Sequence, residues 1–291
     1  MAAAIVKKVK ACLEQNVFKV LSDETFLKLY YRFFIGRKLD LDHPLGYNEK
    51  LQWLKLHDRN PEYIRLVDKY MAKQAAAELI GNQYIPSVIA GPWKDVEEID
   101  IERLPEKFVL KVSHDSGGVV ICDDKRTFNW KAAKKKLKKA LKYNYYYVGR
   151  EWPYKNIVPC IFAEEYLECH DDGGLTDYKF MCFNGVPKLM FTVTERTGGI
   201  KVDFFDMNFN HLPIVRHYPN SEHRIEMPEH FGLMKELSQK LAKDFPHVRI
   251  DFYEVSGRIF FGEWTFYPGN GLEEFASYED DLKMGELITI I

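Results

Sequence analysis

The sequence predicts an α+β protein, with an N-terminal helical layer over residues 1–66 followed by a body of strands and helices. Three observations predict it. Helical periodicity marks the start, with Ile5, Val9, Leu13 and Val17 along one face of residues 3–21. Further on, short runs rich in Val, Ile, Phe and Tyr are separated by turn dipeptides such as Asn184-Gly185 and Ser256-Gly257, the pattern of hairpins. Aromatic residues make up 14% of the chain, with 17 Tyr and 20 Phe, which suits cores built on sheets.

Ser22 or Asp23 starts a second helix through Phe26, Leu29, Tyr30 and Phe33, ending near Gly36. A third helix begins at an Asn48 cap and carries Leu51, Trp53, Leu54 and Leu56; the next stops at Gly81. Residues 67–110 link this layer to the body and contain one short strand after Tyr84. In residues 106–125, FVLKV and VVIC read as strands on either side of the glycine-ended loop SHDSGG. Lys111 is the one charge within the first of these strands. A lysine pointing toward a loop of backbone amides can hold a polyphosphate; a plain hairpin with a loose turn is the other reading. The loop is neither a Walker A motif nor a dinucleotide fingerprint.

Residues 127–142 form a lysine-rich helix capped near Thr127, solvated on one face, with Trp130, Ala133, Leu137 and Leu141 inward. Residues 143–156 are an aromatic, polar loop, and 157–170 form an apolar strand ending in EEYLE. A hairpin through Asn184-Gly185 follows, with Lys179 on its first strand. Residues 202–230 read as loop, carrying Asp203 and Asp206, before an amphipathic helix with Leu233, Leu237 and Leu241 in register. That helix feeds the stretch Arg249–Gly271, which reads as two strands joined at Ser256-Gly257. Asp251 lies on the first strand and Glu263 on the second, and Arg249 shares a face with Asp251 because side chains alternate along a strand. Such paired acids suit Mg²⁺, which takes one or two carboxylates together with nucleotide phosphates; a surface hairpin with scattered acids is the other reading.

Composition bounds the function. An apolar content of 46% and a charged content of 29% are ordinary for a soluble globular protein, and a net charge of −2 gives no argument for a nucleic-acid partner. No window reaches the roughly 18 apolar residues of a membrane span. Lys7, Lys8 and Lys10 interrupt the N-terminal apolar run, so it is not a secretory signal. The basic first helix either touches a membrane surface or packs on the protein. Five cysteines without CxxC spacing point to reduced thiols in the cytoplasm rather than a zinc site. His114 and His170 read either as bases or as structural residues.

In their order along the chain, these stretches resemble the ATP-grasp superfamily of carboxylate–amine ligases. More narrowly they resemble the branch associated with teichuronopeptide and capsular polysaccharide biosynthesis, whose members are often labelled glycosyltransferases. NEKLQWLK, LVDKY, LPEKFVLKVSHDSGG, EEYLE, DYKFMCFNG and GEWTF carry the narrower match, over residues 45–285.

The resemblance implies an ATP-grasp fold of two α+β subdomains clasping ATP, with a nucleotide clamp over 111–175 and a metal-binding subdomain over 176–291. It implies Lys111 on the α/β phosphates, Ser116, Gly117 and Gly118 in the loop over the triphosphate, and Lys69 as a further phosphate contact. Glu164, Glu165, Tyr166 and Leu167 would form the adenine-reading hinge, and Asp177 or Glu168 would hold the ribose. Lys179 would lie near the γ-phosphate, Arg196 and Arg249 would steady the transferring phosphoryl group, and Asp251 and Glu263 would bind Mg²⁺. Thr265 stands where the superfamily usually has Asn, so the metal would take Thr265 or Asn270 instead. The implied activity uses ATP and Mg²⁺ to join an amine or amino acid to a carboxylate through an acyl-phosphate. That carboxylate would belong to a uronic-acid-containing surface polysaccharide or its lipid-linked precursor, in the cytoplasm or at the inner face of the membrane. A glycosyltransferase using a nucleotide sugar is the alternative, and a non-catalytic scaffold a third reading.

Overall fold

A computed structural model of the chain describes residues 18–115, 117–168, 176–195 and 199–290. Most of the expected first helix, Ser116, Arg196, Cys12, Cys169 and His170 lie outside them. In chain order the helices are α1 (Asp23–Phe34), α2 (Tyr47–His57), α3 (Glu62–Val67), α4 (Lys69–Ile80), α5 (Trp130–Leu141), α6 (Tyr146–Gly149), α7 (Phe231–Leu241) and α8 (Tyr278–Glu286). The strands are β1 (Val88–Trp93), β2 (Phe108–Val112), β3 (Val119–Cys122), β4 (Ile161–Glu165), β5 (Asp177–Phe183), β6 (Val186–Thr194), β7 (Lys201–Asp206), β8 (His211–Leu212), β9 (His247–Val255) and β10 (Arg258–Thr265). No described helix is long and apolar enough to cross a membrane. The chain divides into two compact units, one of Met1–Phe26, Asn60–Ala75 and Pro86–Leu167, the other of Leu27–Arg59, Ala76–Ile85 and Glu168–Ile291.

The first unit holds a four-stranded antiparallel sheet in the order β1-β4-β2-β3. Alternation along β2 puts Phe108, Leu110 and Val112 into the core with Ala133 and Leu137 of α5. Val109 and Lys111 therefore face the other way, on the side of Phe162 and Glu164 of β4. The cap of α5 is Asn129, whose side chain accepts from the Ala132 amide at 3.0 Å, and not Thr127. The Thr127 hydroxyl instead donates to the Asp124 carbonyl in the preceding turn. The aromatic stretch expected as loop folds in part into α6. Its Arg150 is buried, with its guanidinium against the rings of Phe26, Tyr146 and Tyr147.

The second unit holds a six-stranded antiparallel sheet in the order β10-β9-β5-β6-β7-β8. Both expected hairpin turns are present, with positive φ at Asn184 (50°) and Gly185 (79°) and at Ser256 (50°) and Gly257 (71°). The region expected as loop contributes β7. Its Asp203 is buried, yet its carboxylate accepts from His211 Nε2 at 3.0 Å and from the Ser221 amide, so an acid there does not break the strand. Helix α2 starts after Gly46, and Asn48 is inside the helix rather than its cap. Glu49 accepts from the Leu45 and Gly46 amides, and Asp281 of α8 accepts from the Asn48 amide at 3.0 Å. A distant acid thus serves amides that local sequence left open.

Register fixes the two faces of this sheet, because residues paired across antiparallel strands share a face. Asp251, Lys179, Phe191 and Phe204 form one continuous row across β9, β5, β6 and β7. Phe252, Tyr178, Thr192 and Asp203 form the next row, on the opposite face. That opposite face also carries Phe180, which packs on Phe231 of α7 with ring centroids 5.8 Å apart.

Candidate functional site

Glu263 reaches the Asp251 row through an irregularity. Phe261 pairs with Phe252, but the next pairing is Glu263 with Asp251, so Gly262 is an extra, bulged residue. Without the bulge Glu263 would pair with Ile250 and point to the α7 side. Glycine is what the bulge requires. A Cβ at 262 would come within 3.0 Å of Tyr253 Cε2 and 3.1 Å of the Asp251 carbonyl oxygen. Thr265 pairs with Arg249, and Asp177 sits two residues from Lys179. Asp177, Lys179, Arg249, Asp251, Glu263 and Thr265 therefore all lie on one face of the second unit's sheet.

Within this group Asp251 is buried and fully engaged. Arg249 donates to it twice, Nε to Oδ1 at 2.7 Å and Nη2 to Oδ2 at 2.7 Å, and Lys179 Nζ also bonds Oδ2. Arg249 Nη2 reaches Glu263 Oε1 at 3.0 Å, and Lys179 Nζ lies 3.6 Å from Asp177 Oδ2. Burial pulls the Lys179 ammonium below its usual range, against the attraction of Asp251. Burial also opposes the Arg249 charge, but Asp251 and Glu263 outweigh it and hold the guanidinium more firmly protonated. The same surroundings push His247, buried next to Arg216 and Arg249, down to about 3.

The donor set suits a hard cation: two carboxylates share the face, and the amide oxygen of Asn270, in the turn after β10, is buried with no hydrogen-bond partner among the described residues. Thr265 is less apt, since its hydroxyl donates to Glu263 Oε1 at 3.1 Å. The turn around Asn270 is held from α2. Gln52 Nε2 donates to the Asn270 and Gly271 carbonyls at 3.0 and 2.7 Å, and the buried Lys55 ammonium donates to the Asn270 carbonyl at 2.7 Å. This explains Gln52 and Lys55 in NEKLQWLK, to which the sequence reading gave no role.

The first unit carries a second charged cluster. Glu164 is buried, with Lys111 Nζ at 2.6 Å from Oε2 and Lys73 Nζ of α4 at 2.9 Å from Oε1. Burial would raise the Glu164 carboxyl, but Lys111 and Lys73 outweigh it and hold it below the usual range. Lys73 was not visible as a site residue, because nothing in KQAAAELI separates an inward lysine from a solvated one. Its ammonium also bonds the Pro86 carbonyl, and burial lowers its proton affinity. Lys111 keeps a quarter of its side chain exposed (25%), against 9% for Lys73.

The glycine loop beside Lys111 is tied down at several points. Gly118 donates to Asp115 Oδ1 at 2.9 Å, and a Cβ there would meet Val112 at 2.8 Å. Lys69 bonds this loop as well, its amide to the Ser113 carbonyl and its ammonium to the Asp115 carbonyl, both at 2.7 Å. Gly117 has open space around it. His114 is buried and bonds the Tyr143 carbonyl at 2.8 Å, which fits the structural reading. Glu165 turns away from Glu164 and accepts from the Ser87 amide at 2.7 Å. Tyr166 has the Lys107 ammonium 5.8 Å from its ring centroid; Leu167 is half-buried and Glu168 exposed. Leu167 ends the last segment of the first unit, and Glu168 begins the last segment of the second.

Comparison with known proteins adds the family. The model of the TupA-like ATP-grasp family matches residues 49–289. No curated protein matches. Solved structures with a related arrangement include the D-alanine–D-alanine ligase of Helicobacter pylori, at 14% identity and a TM-score of 0.43, over 84% of this chain and 69% of that one. The L-amino acid ligase of Bacillus licheniformis aligns at 11% identity and a TM-score of 0.44, over 88% of this chain and 56% of that one. The ATP complex of the Bacillus anthracis D-alanine–D-alanine ligase aligns at 15% identity and a TM-score of 0.40, over 76% and 56%. The chain thus spans little more than half the length of two of these three proteins. The family match, which covers most of the sequence, is what decides: the chain belongs to the TupA-like ATP-grasp family.

Proposed function

We propose that this chain is an ATP- and Mg²⁺-dependent ligase that activates a carboxylate as an acyl-phosphate and joins it to an amine. One observation carries the reading: Asp251, Glu263, Arg249 and Lys179 share one sheet face, with Glu263 brought there by the Gly262 bulge. Phosphoryl transfer asks a protein mainly for positioning and for fixed charge, and this row supplies both.

Asp251 and Glu263 would hold Mg²⁺, with Asn270 as a third oxygen donor. Bound there, the ion neutralises phosphate charge as the γ-phosphoryl group moves. Arg249, oriented by its paired bonds to Asp251, presents a fixed guanidinium to the phosphoryl group in transfer. Lys179 lies beside it as the second cation. In the first unit Lys111 takes the α/β phosphates, with the amides of the loop containing Ser116, Gly117 and Gly118 and with Lys69 bracing that loop. Glu164 to Leu167 supply the adenine-reading segment, Asp177 or Glu168 the ribose contact, and Arg196 a further phosphoryl contact. The substrate carboxylate oxygen attacks the γ-phosphorus, the β–γ bridge breaks and ADP leaves. The amine nitrogen then attacks the acyl carbon, phosphate leaves, and the nitrogen loses its proton.

The finer part of the proposal is the substrate. The resemblance to teichuronopeptide and capsule enzymes supports a carboxylate on a cell-surface polysaccharide or its precursor, with an amino acid or amine as nucleophile. The setting is the cytoplasm, at the inner face of the membrane where the precursor is lipid-linked. Thermal unfolding with Mg²⁺ plus ATP, GTP or UDP-sugars tests the nucleotide. A ligand at 100 times its Kd adds about 2.7 kcal/mol to the native state. A rise in Tm specific to Mg²⁺-ATP is expected. A rise with a UDP-sugar and none with ATP would overturn the reading in favour of glycosyl transfer.

A further inference from the structure

We propose that Glu229, His230 and Glu254 form a second cation site, for a divalent transition metal of the Zn²⁺ type, on the sheet face opposite Asp251 and Glu263. One carboxylate oxygen from each glutamate and one imidazole nitrogen lie within 4.8 Å of one another. His230 Nδ1 is 2.5 Å from Glu254 Oε1. His230 stands at the N-cap of α7, where its side chain makes no capping bond, and Glu254 is on β9. Side chains alternate along β9, so Glu254 shares the α7 face with Phe252, while Arg249, Asp251 and Tyr253 point the other way. The site is therefore separate from the proposed Mg²⁺ site and does not depend on it.

Charge and donor chemistry argue for a metal. Two carboxylates are drawn together around one imidazole, and among the described residues neither is ion-paired with a lysine or arginine. The imidazole offsets at most one of the two negative charges, whereas a divalent cation offsets both. Glu254 is largely sheltered, with 12% of its side chain exposed, so solvent does little of this work. A nitrogen donor also separates this site from a Mg²⁺ or Ca²⁺ site, since imidazole suits Zn²⁺ and its neighbours while hard cations prefer oxygen alone. With metal–ligand bonds of about 2.0–2.2 Å a tetrahedral ion sets its donors roughly 3.3–3.6 Å apart, so His230 Nδ1 and Glu254 Oε1, now 2.5 Å apart, would separate to admit the ion, a shift within reach of rotation of the glutamate side chain. His230 also borders a cavity of about 250 Å³ with Gln83, Tyr84 and Arg258, which leaves room for solvent in the remaining positions.

Metal-free protein, prepared by chelation, is titrated with Zn²⁺ by calorimetry without nucleotide. The complex with Co²⁺ is read by its visible absorption. One Zn²⁺ per chain is expected. His230→Ala and Glu254→Gln should each weaken binding by at least about tenfold, and Asp251→Asn should leave it unchanged. Glu229→Gln alters an exposed carboxylate, so it keeps the metal-free Tm of the parent while still weakening Zn²⁺ binding. It therefore separates loss of a ligand from loss of the fold. Absence of Zn²⁺ binding in the parent would overturn the proposal. So would binding that survives all three substitutions, or binding lost only with Asp251→Asn.

Discussion

Replacing Glu164 by glutamine should be among the most damaging single changes in the first unit. Its carboxylate is 4% exposed and is shared by two ammonium groups, one of them, on Lys73, itself only 9% exposed. Glutamine keeps the shape and one acceptor but removes the charge, which leaves a buried lysine without its counter-ion. Breaking a buried pair from one side costs about 3–5 kcal/mol, a large share of a total stability of about 5–15 kcal/mol. With a urea dependence of about 2–3 kcal/mol per molar, the midpoint of the unit's transition should fall by about 1–2.5 M. Lys111→Met should cost less, because Lys111 is partly exposed and Lys73 remains to pair with Glu164. A Glu164→Met, Lys73→Met double variant should regain much of the loss, since no buried charge is left over. The pH dependence follows from the direction of the shift. The Glu164 carboxyl is held below its ordinary 4.5, so its contribution is complete above that value and drains away as the pH falls further. Urea unfolding followed by circular dichroism at pH 7 and below pH 4 checks both claims. A loss under about 1 kcal/mol for Glu164→Gln, or an equal loss for Lys111→Met, would refute the reasoning.

Four other outcomes are expected. Gly262→Ala presses a methyl group against Tyr253 and the Asp251 backbone, so it should cost about 1–3 kcal/mol and shrink the Tm rise given by Mg²⁺-ATP; calorimetry with and without nucleotide measures both. Asp251→Asn and Glu263→Gln should each abolish Mg²⁺-ATP turnover with the fold retained, read by ADP release and circular dichroism. Lys111→Ala should weaken ATP binding at least tenfold, and an unchanged Kd would remove the phosphate contact. Burial pushes Asp281 up to about 6 from its ordinary 3.8, so its ionised form opposes folding above that pH. Compared with the Asp281→Asn variant, the parent should gain stability as the pH falls from 6 toward 4, as thermal unfolding across that range would show.

Elements whose signal is local were legible. Hairpin turns with Gly after Asn or Ser, the strand FVLKV and the stop at Gly81 depend on neighbours in sequence, and each is where the chain placed it. What was not legible depends on residues far apart. The capping of α2 needs Asp281, more than two hundred residues away, so Asn48 looked like the cap in its absence. Strand β7 looked like loop because Asp203 is acidic, and only His211 and the Ser221 amide make a buried carboxylate tolerable there. Lys73 was hidden for the same reason: its partner Glu164 is on a strand that the helix pattern does not reveal. The carboxylate pair was half legible. Asp251 and Arg249 share a face by simple alternation, but the placing of Glu263 turns on reading Gly262 as a bulge rather than as an ordinary strand residue.

The two charged clusters share a design that stability alone does not explain. A buried ion pair is weak grounds for stability, because desolvation consumes most of the attraction. Each unit nevertheless places one buried acid between two cations: Glu164 between Lys73 and Lys111, and Asp251 between Lys179 and Arg249. In the first cluster the cations are unequal. Lys73 is enclosed, whereas Lys111 keeps an exposed flank. If Lys111 swings to a phosphate, Lys73 still neutralises Glu164, so the acid is never left alone in the core. The buried lysine thus lets the exposed one change partners at little cost. A lone Lys111–Glu164 pair could not do this, because each phosphate contact would strand a buried carboxylate. On the proposed function, Lys73→Met should therefore weaken ATP binding although Lys73 touches no phosphate, since Lys111 could then leave Glu164 only by uncovering its charge.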